Sequence, residues 1–186
     1  MLLALDVGNT NITLGVFEGE KLLFSSRLAT DTARMEDQYA LEIRDILHLY
    51  GVARGDITGA VLSSVVPKLT GYLSRVVERH FSCKPLVIDY ETCKDVLPIA
   101  IDHPETTGPD LIAGCVGAKA LHACPCIVVD MGTATTLVAL DQEGAMVGGA
   151  IVPGMGISLD ALTQRAALLS SVSLDPPSRV VGRDTA

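Results

Sequence analysis

Leu3-Ala4-Leu5-Asp6-Val7-Gly8-Asn9-Thr10-Asn11-Ile12-Thr13-Leu14-Gly15-Val16-Phe17 decides how this chain is read. A short apolar run ends on one aspartate. A glycine turn carrying amide and hydroxyl side chains follows, and the chain then returns to an apolar run. The pattern predicts strand, tight polar turn, strand. A donor-rich turn with a carboxylate at its entrance suits a phosphate group and its cation.

The turn has an echo. Leu5-Asp6-Val7-Gly8-Asn9-Thr10-Asn11 is answered by Val129-Asp130-Met131-Gly132-Thr133-Ala134-Thr135. Leu137 to Leu140 then matches the strand over Thr13 to Phe17. Asp141-Gln142-Glu143-Gly144 matches the turn Glu18-Gly19-Glu20, and Met146 to Val152 matches the strand predicted over Lys21 to Leu28. One such corner alone would pass for an ordinary turn, because Asp and Gly are common there. Two corners inside matching hairpin units indicate two similar domains. A solenoid would repeat at least three times at a period of ~20–50 residues. Two domains that each present a phosphate loop to a shared cleft form an ATP clamp.

The remaining segments fit an α/β layer fold. Apolar periodicity predicts a helix over Met35 to Tyr50, with N-cap chemistry at Thr30-Asp31-Thr32 before it and Gly51 ending it. A buried strand is expected over Ile57 to Ser64. Ser63-Ser64-Val65-Val66-Pro67 then turns into a helix from Lys68 to His80, and a short strand runs from Leu86 to Asp89. Residues 91–108 read as loop or linker, marked by Pro98, Pro104 and Gly108. Asp110 to His122 reads as a helix of small apolar residues, expected to be mostly buried. Ile127 to Asp130 reads as a strand, and Ser158 to Leu169 as an amphipathic helix. The expected division is 1–107 for the first domain and 108–186 for the second.

Composition narrows the function classes. Of 186 residues 48% are apolar, but aromatics are few and Trp is absent, so the core must be aliphatic. The net charge of −8 opposes a broad nucleic-acid surface, which needs Lys and Arg. A small anion is still admissible, because backbone amides bind phosphate without net positive charge. No apolar run reaches the ~20 residues that span a bilayer, and Met1-Leu2-Leu3 enters the first turn with no basic leader. The five cysteines, odd in number, point to a reducing compartment, so a cytoplasmic protein without membrane contact is expected. Cys124-Pro125-Cys126 lacks a second pair and a His at ligand spacing, so structural thiols are the better account.

The twinned Asp-x-Gly hairpins resemble the superfamily of sugar kinases, heat-shock chaperones and actin, which implies two ribonuclease H-like domains facing an ATP cleft. Four motifs taken together, Asp6-Val7-Gly8-Asn9-Thr10-Asn11, Ser63-Ser64-Val65-Val66-Pro67, Asp130-Met131-Gly132-Thr133-Ala134-Thr135-Thr136 and Gly148-Gly149-Ala150-Ile151-Val152-Pro153-Gly154, resemble type III pantothenate kinase. The resemblance implies ATP-dependent phosphorylation of pantothenate, the first step of coenzyme A synthesis. It implies that Asp6, Val7, Gly8, Asn9, Thr10, Asn11, Ile12 and Thr13 hold the ATP phosphates, with Asp6 near Mg2+. Asp130 would hold a monovalent cation, K+ or NH4+. Gly132 and Thr133 would meet the nucleotide. Asp110 would accept the proton of the attacking hydroxyl, while Gly108, Asp110 and Thr185 would contact pantothenate. A homodimer is also implied.

The acceptor side departs from this family. The family's Gly-Ala-Asp-Arg reads Gly108-Pro109-Asp110-Leu111, so an arginine suited to the pantothenate carboxylate is replaced. The family's substrate tyrosine falls at Ile101, and Leu137 and Val138 stand where Phe and Asp are usual. Family members also run on for about another third of this length, so a second domain short of covering helices is expected. The competing expectations are a nucleotide-binding regulator without pantothenate turnover, and a kinase for a less charged alcohol.

Overall fold

The computed structural model describes residues 1–165 together with residues 174, 179 and 181. Thr185 lies outside the described residues. The opening stretch forms β1 (Leu2–Val7), β2 (Asn11–Glu18) and β3 (Lys21–Ala29), each antiparallel to the next. β4 (Gly59–Ser64) lies parallel to β1 on its other side, and β5 (Leu86–Val87) lies parallel to β4. The resulting sheet has the order β3-β2-β1-β4-β5.

Strand alternation divides this sheet into two faces. Leu3, Leu5 and Val7 of β1 are buried with Ile12, Leu14 and Val16 of β2 and with Ala60 and Leu62 of β4. Against them lie α1 (Glu36–Leu49), through Tyr39, Ile43 and Leu47, and α2 (Pro67–Phe81), through Leu69, Leu73, Val76, Val77 and Phe81. Pro67 supplies the fixed φ of a first helical turn. Glu36 joins the two helices by accepting from Arg75 at 2.7 Å and from Arg79 at 2.8 Å.

The opposite face carries Ala4, Asp6, Thr13, Gly15, Val61 and Ser63. These residues and Ala113 of α4 (Pro109–Leu121) line a cavity of about 290 Å³. Contrary to expectation, α4 is not mostly buried, since only Ile112 and Cys115 are. Its small side chains reduce the apolar area that needs covering. A second apolar cluster gathers Cys93, Leu97, Ile112, Cys115, Val138, Leu140 and Met146.

Between β5 and α4 the chain is more ordered than a linker. Asp89 caps the short α3 (Tyr90–Cys93) by accepting from the Thr92 amide at 2.8 Å. It therefore stops the strand expected to reach it. Pro104–Thr106 forms one 3-10 turn. The repeat follows as β6 (Cys126–Met131), β7 (Ala134–Leu140) and β8 (Met146–Pro153), in the order β6-β7-β8. α5 begins at Met155, earlier than expected, and is described to Arg165 with no buried residue.

The described chain separates by contacts into two compact units. One is Met1–Val128 with Val138–Gly148, and the other is Val129–Leu137 with the chain from Gly149 onward. In the first, Ile127 and Val147 are exposed. In the second, Val129, Met131, Ile151, Val152 and Met155 are exposed. Among the described residues no helix is long and apolar enough to cross a membrane.

Candidate active site

Asp6 sits at the carboxyl end of β1 and is exposed, while its neighbours Leu5 and Val7 point into the core. Beyond it the chain reverses tightly, and the Gly8 amide donates to the Asn11 carbonyl at 2.9 Å. A β-carbon on Gly8 would stand 3.2 Å from that same oxygen, so the turn favours glycine by close approach. Asn9, Thr10 and Asn11 are exposed around the turn. The Val7 and Ile12 side chains are fully buried, so only their backbone groups are available to a ligand.

Thr30, read in the sequence only as part of a cap, braces this turn from 22 positions away. The Thr30 hydroxyl donates to the Gly8 carbonyl at 2.7 Å, and the Thr30 amide donates to the Thr10 carbonyl at 2.9 Å. Thr30 is held in turn by its neighbour Asp31. The Asp31 amide donates to the Tyr39 hydroxyl, which donates back to the Asp31 carbonyl at 2.9 Å. The local signal, Thr-Asp-Thr, reads only as a cap, because pairing of β2 with β3 is what brings Thr30 to the turn.

The strand order places the turn at a switch point. From β1 the chain leaves toward β2 on one side, while β4 continues through α2 to β5 on the other. In open α/β sheets ligands bind outside the carboxyl ends of strands at such reversals. Asp6 and Ser63 occupy the carboxyl ends of β1 and β4, in register with each other. The rest of the serine motif is structural. Ser64 Oγ accepts from the Val66 amide at 3.2 Å and is 2.8 Å from Thr70 Oγ1, which anchors the start of α2.

Asp110 is exposed in the first turn of α4, where the helix dipole favours negative charge. Its Oδ1 accepts from the Leu111 amide at 2.9 Å. A β-carbon on Gly108 would lie 2.5 Å from that same oxygen. Leu111 and Ile101 are half-buried against the second apolar cluster. The Thr107 hydroxyl, just ahead of Gly108, is buried and has no hydrogen-bond partner among the described residues.

In the second compact unit Asp130 is exposed on β6, and Gly132 and Thr133 are exposed at the turn that follows. The Gly132 amide donates to the Ala134 carbonyl at 3.0 Å, a closure one residue shorter than that at Gly8. Gly154 seals the turn, its amide donating to the Thr133 carbonyl at 3.1 Å. A β-carbon on Gly154 would overlap the Gly132 and Thr133 carbonyl oxygens and lie 2.8 Å from the Thr133 carbonyl carbon.

A family model for type III pantothenate kinase matches residues 2–186 of this chain. The chain belongs to the type III pantothenate kinase family. It is 44% identical over its whole length to a type III pantothenate kinase of Moorella thermoacetica, spanning 72% of that protein. To one of Thermomicrobium roseum it is 40% identical over its whole length, spanning 71%. The fold is shared with the activator of 2-hydroxyisocaproyl-CoA dehydratase from Clostridium difficile, solved with bound ADPNP, at a TM-score of 0.54 and 15% identity over 92% of this chain and 53% of that one. The fold class is therefore α/β of the ribonuclease H-like, actin-related kind expected from the repeat. A pantothenate kinase family implies ATP and a divalent metal.

Proposed function

We propose that this chain transfers the γ-phosphoryl group of ATP to the primary hydroxyl of pantothenate, giving 4'-phosphopantothenate. The observation that carries the reading is the Asp6 turn at the β1–β4 switch point, in a chain of this family. The turn at Gly8 offers exposed amide and hydroxyl groups from Asn9, Thr10 and Asn11, with the half-buried Thr13 beside them, to the phosphates. Phosphoryl transfer depends on positioning and charge neutralisation more than on covalent chemistry.

Among the described residues no three His, Cys, Asp or Glu side chains gather as a metal cage. Mg2+ is bound through one or two carboxylates with waters and substrate phosphates, and Asp6 is exposed at the end of β1. Asp6 is the carboxylate we assign to Mg2+. Bound there, Mg2+ would neutralise phosphate charge. Asp130 is the carboxylate we assign to the K+ or NH4+ ion, which takes oxygen donors. Gly132 and Thr133 are assigned to the nucleotide. Asp110 accepts the proton of the attacking hydroxyl, and Gly108 and Thr185 contact pantothenate. The proposal takes 1–107 and 108–186 as the halves of the repeat, a division by chain order and not by packing. It also includes a cytoplasmic homodimer.

One observation favours a second reading, a nucleotide-binding regulator. Leu111 and Ile101 present apolar groups where the family carries Arg and Tyr, and both are half-buried. Leucine cannot make the charge-assisted bond to a carboxylate that typically contributes ~1.5–3 kcal/mol. ATP consumption measured with Mg2+ and K+, with and without pantothenate, separates the readings. Stimulation by pantothenate supports the kinase. Nucleotide binding without turnover supports the regulator. Leu111→Arg should lower the KM for pantothenate if that position faces the carboxylate.

A further inference from the structure

Ser63 stands out as a polar group with nothing to do. The residue is 5% exposed, and among the described residues its hydroxyl has no hydrogen-bond partner. A buried hydroxyl left in that state costs about 1–3 kcal/mol, so a folded chain that keeps one needs a reason for it. Ser64 has such a reason in accepting from the Val66 amide and the Thr70 hydroxyl ahead of and within α2, whereas Ser63 points to the opposite face of the sheet.

That face is the one bearing Asp6. β1 and β4 pair in parallel with Asp6 opposite Ser63, and β2 pairs with β1 so that Thr13 lies opposite Asp6. Thr13, Asp6 and Ser63 therefore form one row across three strands, and all three line the same cavity of about 290 Å³ beneath α4. Neighbouring strands are ~4.8 Å apart, a gap that a serine hydroxyl closes to an adjacent carboxylate by rotation about χ1. The rest of the wall near Ser63 is apolar: Ala4, Val61, Ile88 and Ala113. Asp6 is the acceptor nearest in register.

We propose that Ser63 is a positioning residue for Asp6. When the cation is bound, the Ser63 hydroxyl donates to the Asp6 carboxylate and fixes the orientation in which that carboxylate meets Mg2+–ATP. Groups that hold a metal's carboxylate commonly control affinity in this way. The inference rests on the assignment of Asp6 to Mg2+–ATP made above.

The test is Mg2+–ATP binding to the full chain by titration calorimetry, compared with ATP in the presence of EDTA. Ser63→Ala should weaken Mg2+–ATP binding about three- to tenfold, the range set by a single hydrogen bond, and leave metal-free ATP binding unchanged. Its melting temperature should be unchanged or higher, because an unpaired buried hydroxyl is gone. Ser63→Thr, which keeps the hydroxyl and adds a methyl beside the cavity, should restore the affinity. Equal weakening with and without metal, or no weakening, overturns the proposal. So does a fall in the melting temperature of Ser63→Ala, which would make the hydroxyl a stabilising group. If the unsubstituted chain binds no Mg2+–ATP, the assignment of Asp6 fails first and this inference falls with it.

Discussion

The hydroxyl of Thr30 donates to the carbonyl of Gly8 at 2.7 Å, tying the end of β3 to the first phosphate turn. The turn's amides are thereby aimed before any ligand arrives. Thr30→Val keeps the shape of the side chain and removes the donor. It should cost about 1 kcal/mol of stability and weaken ATP binding severalfold. Chemical denaturation and nucleotide titration of the same variant check both effects, and an unchanged affinity would reduce Thr30 to a structural role.

Gly108 has φ −60 and ψ 140, a conformation any residue adopts. Its hydrogen is needed because a β-carbon would meet Asp110 Oδ1 at 2.5 Å. Gly108→Ala should therefore fold normally while pushing the Asp110 carboxylate off the Leu111 amide. A displaced proton acceptor predicts a fall in kcat of about 10- to 100-fold with little change in melting temperature. Steady-state kinetics beside a thermal melt checks this.

Gly154 predicts the opposite pattern. Its β-carbon would run into two backbone carbonyls that have no side-chain freedom to yield. Gly154→Ala should destabilise the second turn by about 1–3 kcal/mol and weaken nucleotide binding. Gly148→Ala, on β8 just before Gly154, where a β-carbon meets nothing within 4 Å, is the control. Comparing the two by denaturation and limited proteolysis tests the close approach.

The two turns were legible because each concentrates its evidence in a few adjacent residues. Their bracing was not. Thr30 and Gly154 act across strand pairing and chain return, which local pattern does not encode. Ser63 reads as the end of a strand, as found, but its meaning comes from register with Asp6, which local pattern does not give. The α4 helix misled for a different reason. Alanine and glycine raise apolar content without supplying area that must be buried, so only Ile112 and Cys115 lie fully inside. At Asp89 the signal was present but outweighed, because Asp-x-x-Thr is a capping pattern and the apolar run before it reads as strand.

Cys115 sets an alkaline limit on stability. Burial, then the neighbouring Cys126, pushes its thiol up from 9.0 to about 11. Below pH 9 the thiol is protonated in both folded and unfolded chains, and its contribution is fully present. Between pH 9 and about 11 only the unfolded chain releases the proton, so stability falls as pH rises. Melting temperatures taken from pH 8 to 11 should decline, and the decline should be shallower in Cys115→Ala.

Phosphoryl transfer to pantothenate is assigned to this chain with Asp110 as proton acceptor. The most direct measurement follows 4'-phosphopantothenate formation by mass spectrometry, with ATP, Mg2+ and K+, for the unsubstituted chain and for Asp110→Asn. Product is expected with the unsubstituted chain, and a rate at least about 100-fold lower in Asp110→Asn, which should still bind ATP. Failure of the ATP-binding, unsubstituted chain to form product, or an undiminished rate in Asp110→Asn, would contradict the assignment.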